Sequence, residues 1–110
     1  MPELRIIWLK CVKKDDTFGK DSVHIRIDGD VRWGPEDFSK GEQREIGTTH
    51  HFDSNVIVDI EELDSLSATD MIGTLRLTKS SPKGERTQRF NQFDSDYRMR
   101  FELLEWSKAD

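Results

Sequence analysis

Cysteine is all but missing from this sequence: Cys11 stands alone among 110 residues. No internal disulfide can form, and no thiolate zinc cluster can assemble around a single sulfur. Long apolar runs are missing too, and none approaches the roughly 18 residues of a membrane-spanning helix. The start, Met1-Pro2-Glu3-Leu4-Arg5, lacks the basic stretch and apolar segment of a secretory signal. A cytoplasmic location is therefore expected, with signal-free export left open. Positive charge is in deficit, with 17 Lys and Arg against 22 Asp and Glu and a formal net charge of −5. Domains that hold nucleic acid by bulk electrostatics are usually basic, so no nucleic-acid partner is expected. Catalytic signatures are missing as well: there is no Gly-x-Ser-x-Gly elbow, phosphate loop or helix with paired histidines. No nucleophile–base pair stands out, and a non-enzyme is expected.

What is there is a series of short β-patterned runs. Hydrophobic content is 34%, which is low but spread in strand-sized pieces. The length suits a single domain with one core over residues 1–110. Leu4 to Val12 is apolar and β-branched but alternates poorly, which predicts a strand covered on both faces. Val23, Ile25 and Ile27 alternate with His24, Arg26 and Asp28, as a half-buried strand does. Asp28-Gly29-Asp30 reads as a tight hairpin turn. Val31 to Trp33 reads as a short strand that Gly34-Pro35 stops, because proline cannot donate to a ladder. Gln43 to Phe52 reads as a polar edge strand. Further strands are expected at Asn55–Glu61, Met71–Lys79, Glu85–Phe90 and Tyr97–Glu105. In the last of these, Tyr97, Met99, Phe101 and Leu103 point inward. No segment carries a 3.6-residue apolar stripe. Eight short strands between turn signals predict an all-β fold, an eight-stranded antiparallel β-sandwich.

The stretch Val56 to Leu77 organises the rest. An apolar run enters an acidic loop and a second apolar run leaves it, with Glu62, Asp64 and Asp70 in or beside the loop and Gly73 just beyond. Successive connections of an antiparallel sandwich alternate between its two ends. The odd connections, Lys13–Lys20, Gly34–Gly41, Glu62–Asp70 and Asn91–Asp96, then share one pole. They would gather Asp15, Asp16, Asp21, Glu36, Asp37, Glu62, Asp64, Asp70, Asp94 and Asp96 there. Such crowding costs self-repulsion, and a hard cation among the carboxylates would relieve it. Several carboxylates, backbone carbonyls and water suit the roughly 6–8 oxygen ligands of calcium better than octahedral magnesium.

At this point the chain resembles a C2 domain, the calcium-dependent β-sandwich family, and its Trp33-Gly34-Pro35 is similar to small stand-alone bacterial proteins of this general kind. The likeness is carried by Glu62-Leu63-Asp64 followed by Asp70-Met71-Ile72-Gly73, and by Asp16-Thr17-Phe18-Gly19-Lys20-Asp21 leading into Val23–Ile27. It departs from the family pattern in two places. Asp21-Ser22-Val23-His24 stands where Ser-Asp-Pro-Tyr is usual, and Glu62 stands where an aspartate is usual. The resemblance implies a calcium site on Asp15 or Asp16, Asp21, Glu62, Asp64 and Asp70. It also implies docking on an anionic membrane or a protein surface, with Phe18, Leu66 and Phe93 as apolar tips beside the metal. The same tips would serve equally to cap the core. A structural or assembly protein with calcium as a staple, or with no metal, is the rival expectation. An inhibitor-like effector showing its acidic loops to a basic partner is a third, with nothing specific behind it.

The remaining candidates have plainer expected roles. Asp94 and Asp96 read as turn and strand-start residues. His50 and His51 are adjacent, so on a strand they face opposite ways and make a poor zinc pair. Trp8, Trp33 and Trp106 read as core or rim packing, and Cys11 as a small buried hydrophobe.

Overall fold

The structure is a computed structural model that describes residues 1–13, 21–63, 70–92 and 95–105. Eight strands follow one another: β1 (Pro2–Lys13), β2 (Asp21–Ile27), β3 (Asp30–Phe38), β4 (Gln43–His51), β5 (Asn55–Leu63), β6 (Asp70–Thr78), β7 (Gly84–Phe90) and β8 (Asp96–Glu105). They form two four-stranded sheets of order β4-β1-β8-β7 and β3-β2-β5-β6. All pairings are antiparallel. The described residues contain no helix. The fold is thus the expected eight-stranded antiparallel sandwich.

Period-two alternation explains most of the packing. Tyr97, Met99, Phe101 and Leu103 of β8 and Val56, Val58 and Ile60 of β5 are almost fully buried. With Leu4, Ile6 and Leu9 of β1 and Val23, Ile25 and Ile27 of β2, they form the core between the sheets. The poor alternation of β1 has a local cause. Its register slips between Ile6 and Trp8 against both neighbours, so a bulge leaves Ile7 and Trp8 both half-buried. Asp28 and Gly29 have φ of 51° and 89°, the paired positive angles of a tight hairpin turn.

One expectation is corrected. β3 does not stop at Trp33 but runs through Gly34-Pro35 to Phe38. It is an edge strand, so the N–H that proline lacks is not needed by a further neighbour. The pairing with β2 skips there, from Ile25↔Trp33 to Val23↔Glu36. The Gly34-Pro35 bond is cis, and Gly34 has φ 84°. A Cβ on Gly34 would lie 2.6 Å from the Val23 carbonyl oxygen, so the strand hugs β2 only because no side chain stands there.

Candidate cation site at the loop pole

Strand registers decide which ends of the sandwich meet. In the first sheet, Lys13 lies opposite Asp96, Phe90 opposite Tyr97 and Lys10 opposite Gln43. In the second, Asp21 lies opposite Phe38 and Glu62 opposite Asp70. Two hydrogen bonds clamp these ends across the sheets: the Tyr97 hydroxyl donates to Asp21 Oδ2 at 2.6 Å, and Gln92 N donates to the Ile72 carbonyl at 3.3 Å. The ends of β1, β3, β5 and β7 and the starts of their successors therefore share one pole, here called the loop pole.

Asp21 is the most unusual residue there. It continues the inward phase of Val23, Ile25 and Ile27, and is 1% exposed. One carboxylate oxygen accepts the Tyr97 bond. The other, Oδ1, is buried with no hydrogen-bond partner among the described residues. An orphaned carboxylate oxygen loses hydration without compensation. Burial, and then the bond to Asp21, push the Tyr97 hydroxyl far above its ordinary value, so it remains a donor. Phe38 packs edge-on against the Tyr97 ring at 5.8 Å and fixes the ring that holds Asp21.

Glu62 follows the inward phase of Val56, Val58 and Ile60 and lies opposite Val23. Asp70 is its cross-strand partner on β6. Like charges placed opposite one another weaken a ladder, so the Glu62–Asp70 pairing gains from positive charge placed near it. Asp70 is exposed and Glu62 half-buried. Of the predicted ligands, Asp21, Glu62 and Asp70 thus share the loop pole. Asp15, Asp16 and Asp64 lie outside the described residues, as do the predicted contact residues Phe18, Leu66 and Phe93, and also Asp94 and Trp106. Among the described residues, no group of three or more His, Cys, Asp or Glu side chains is close enough to hold a metal ion.

Several acids of the pole are tied to cations. Asp96 is held by Arg89, with Nη2 3.1 Å from Oδ2, and by Arg98 at 3.6 Å, as befits a strand-start residue. Arg44 reaches Glu36 at 3.5 Å and Glu42 at 3.4 Å, and its guanidinium lies over the Phe38 ring. The histidines are likewise dispersed. His51 Nε2 is 2.8 Å from Glu3, while His50 Nδ1 is 2.8 Å from Arg32. Sequence reasoning missed the polar role of Tyr97, which alternation marks only as inward-facing. It also missed a cluster on the outer face of the second sheet, where Glu61 Oε1 lies 2.6 Å from His24 Nε2 and 2.7 Å from Arg26 Nε. His24 and Glu61 are opposite each other in the β2–β5 register, which only the assembled sheet reveals.

This cluster predicts an acid response. Burial pushes the Glu61 carboxyl up, but hydrogen bonds from His24 and Arg26 and the Arg26 charge outweigh it, so the group sits below its ordinary value. Glu3 is lowered in the same way, burial being outweighed by bonds from His51 and Arg5. A carboxyl lowered in the folded state contributes stability that is present above its unfolded value and lost as pH falls through the folded one. The urea midpoint should hold steady down to about pH 5 and then fall as the acid range near pH 4.3 is crossed. Glu61→Gln should lower the neutral-pH midpoint and flatten that fall.

No family model matches the chain and no curated protein matches it. Solved structures do. Human GIVD cytosolic phospholipase A2 in complex with methyl gamma-linolenyl fluorophosphonate superposes with a TM-score of 0.55 at 13% identity, over 96% of this chain and 17% of that one. The same human enzyme alone gives 0.54 at 12% identity, over 94% and 15%. With the inhibitor and terbium chloride it gives 0.53 at 12%, over 96% and 17%. At such identity the likeness is one of fold. The chain spans about a sixth of the length of these structures.

Proposed function

We propose that this chain is a C2-like, non-catalytic module that binds calcium at its loop pole and thereby docks on an anionic membrane or protein surface. The observation that carries the reading is Asp21: a carboxylate 1% exposed, gripped on one oxygen by Tyr97, with the other buried and unpartnered among the described residues. A hard cation answers the missing partner of Asp21 Oδ1, and Glu62 and Asp70 stand at the same pole. All three are oxygen donors of the kind calcium takes. Asp15 or Asp16, and Asp64, belong to the connections that join these strand ends and would complete the set. When bound, calcium would supply positive charge at Asp21 and tie β2 to the acidic connections of the loop pole. The chain's own part is to hold Asp21 rigid through Tyr97 and Phe38.

The fold likeness to a cytosolic phospholipase A2, an enzyme named for phospholipid, supports a lipid-facing role. Phe18, Leu66 and Phe93 are the apolar residues offered for contact. An acidic pole repels anionic lipid until the metal neutralises it, so docking switches with calcium.

Co-sedimentation with phosphatidylserine-containing vesicles tests this. The chain should pellet with vesicles in millimolar calcium and stay in the supernatant with chelator. Calcium binding without pelleting would favour the rival, a structural sandwich stapled by the metal.

A further inference from the structure

Far from the loop pole, the edge strands β6 and β7 leave a cleft between the two sheets of about 260 Å³, lined among others by Leu75, Leu77, Pro82, Phe101, Arg76 and Arg86. That is roughly the space of nine water molecules. It borders the Lys79–Gly84 turn at the opposite end of the molecule from Asp21. Leu75, Leu77 and Phe101 are buried and give it apolar walls.

Arg86 lies opposite Phe101 in the β7–β8 register, so it points into the space between the sheets. Its guanidinium carbon stands 5.1 Å from the Phe101 ring centre. Nε and Nη2 are buried with no hydrogen-bond acceptor among the described residues. These two nitrogens form one edge of the guanidinium, the edge that takes a carboxylate through two parallel hydrogen bonds. Burying that edge beside apolar walls removes hydration and gives it no hydrogen-bond acceptor in return, the Phe101 ring meeting only the guanidinium's charge. The neighbouring Arg100 behaves differently, donating to Glu85 at 2.8 Å and to Thr87 at 3.0 Å, which occupies the nearest acid on β7. Arg76, exposed on β6, also borders the cleft, in a chain whose net charge is −5.

We infer that this cleft binds a small amphipathic carboxylate, with its charged end on the Nε–Nη2 edge of Arg86 and its apolar body against Leu75, Leu77 and Phe101. The volume lies just below the roughly 300 Å³ at which ordinary ligand pockets begin, which selects a short acyl or aryl acid over a long lipid. The site stands apart from the calcium reading and is tested on calcium-free protein.

Hexanoate, acetate, hexanol and inorganic phosphate serve as probes at constant ionic strength, with NMR following the Arg86 Nε–H resonance in the wild type and the Phe101 backbone amide in both the wild type and Arg86→Lys. Hexanoate should shift it saturably, at least tenfold more tightly than acetate, hexanol or phosphate. Arg86→Lys keeps the charge but loses the paired edge, and should weaken hexanoate at least tenfold. The wild-type comparison stands even if that variant does not fold. The absence of a saturable shift overturns the site. Equal binding of acetate or hexanol overturns the amphipathic ligand, and equal binding of phosphate overturns the choice of a carboxylate. Unchanged hexanoate affinity in Arg86→Lys overturns the role of Arg86.

Discussion

Calcium should raise the melting temperature of this chain by roughly 10 °C or more at a hundredfold excess over its dissociation constant. A ligand that binds only the folded state adds about 2.7 kcal/mol at that saturation, and each kcal/mol moves the melting point of a domain this size by roughly 4–8 °C. The stabilisation would arise because a cation on Asp21 of β2 and on acids of the neighbouring connections would link segments that unfolding separates. Asp21→Asn is the informative variant. Its side-chain oxygen can still accept the Tyr97 hydroxyl, so the fold should persist with little change in the calcium-free melt, while most of the calcium-induced rise disappears. Differential scanning calorimetry with calcium and with chelator reads both quantities. A rise of equal size in Asp21→Asn would place the cation elsewhere.

Gly73→Ala should be a damaging small substitution, costing about 3 kcal/mol, the upper part of the range for overpacking. Gly73 lies opposite Ile60 in the β5–β6 register, and Phe90 of β7 lies over it from the other sheet. A Cβ there would come 2.7 Å from the Phe90 Cβ and 2.8 Å from its Cγ. A rotamer change cannot move Phe90's own Cβ, so one of the two strands has to shift. Phe90 is 3% exposed and starts the connection to β8, so the shift propagates to Tyr97 and hence to Asp21. Urea unfolding should show a lower midpoint with an unchanged slope. Phe90→Ala should cost less in the Gly73→Ala background than in the wild type. A Gly73→Ala midpoint within about 0.5 kcal/mol of wild type, the ordinary range of surface substitutions, would show that the sheets have slack at this corner.

The layout of the sandwich is readable in the chain because burial on one face imposes alternation, and β2, β5 and β8 alternate cleanly. From eight strands and antiparallel order, the shared pole of Asp21, Glu62 and Asp70 follows by counting connections. The parts that resist reading are those where two residues count as one. The bulge in β1 puts Ile7 and Trp8 out of phase, and the irregular pairing at Gly34-Pro35 lets an edge strand continue where proline suggests a stop. Polar pairings across sheets are also hidden. Alternation marks Tyr97 as inward without saying that its hydroxyl meets Asp21, 76 residues away. The His24–Glu61 contact, 37 residues apart, needs the β2–β5 register. Arg86 is hidden for a third reason: on an edge strand, the inward phase opens to a cleft that accepts a charge the core would refuse.

Titration of the chain with calcium by isothermal calorimetry tests the central claim most directly. A saturable heat at micromolar to millimolar calcium, weakened at least tenfold in Asp21→Asn, is the predicted result. No heat at millimolar calcium, or the same heat in both proteins, would contradict it.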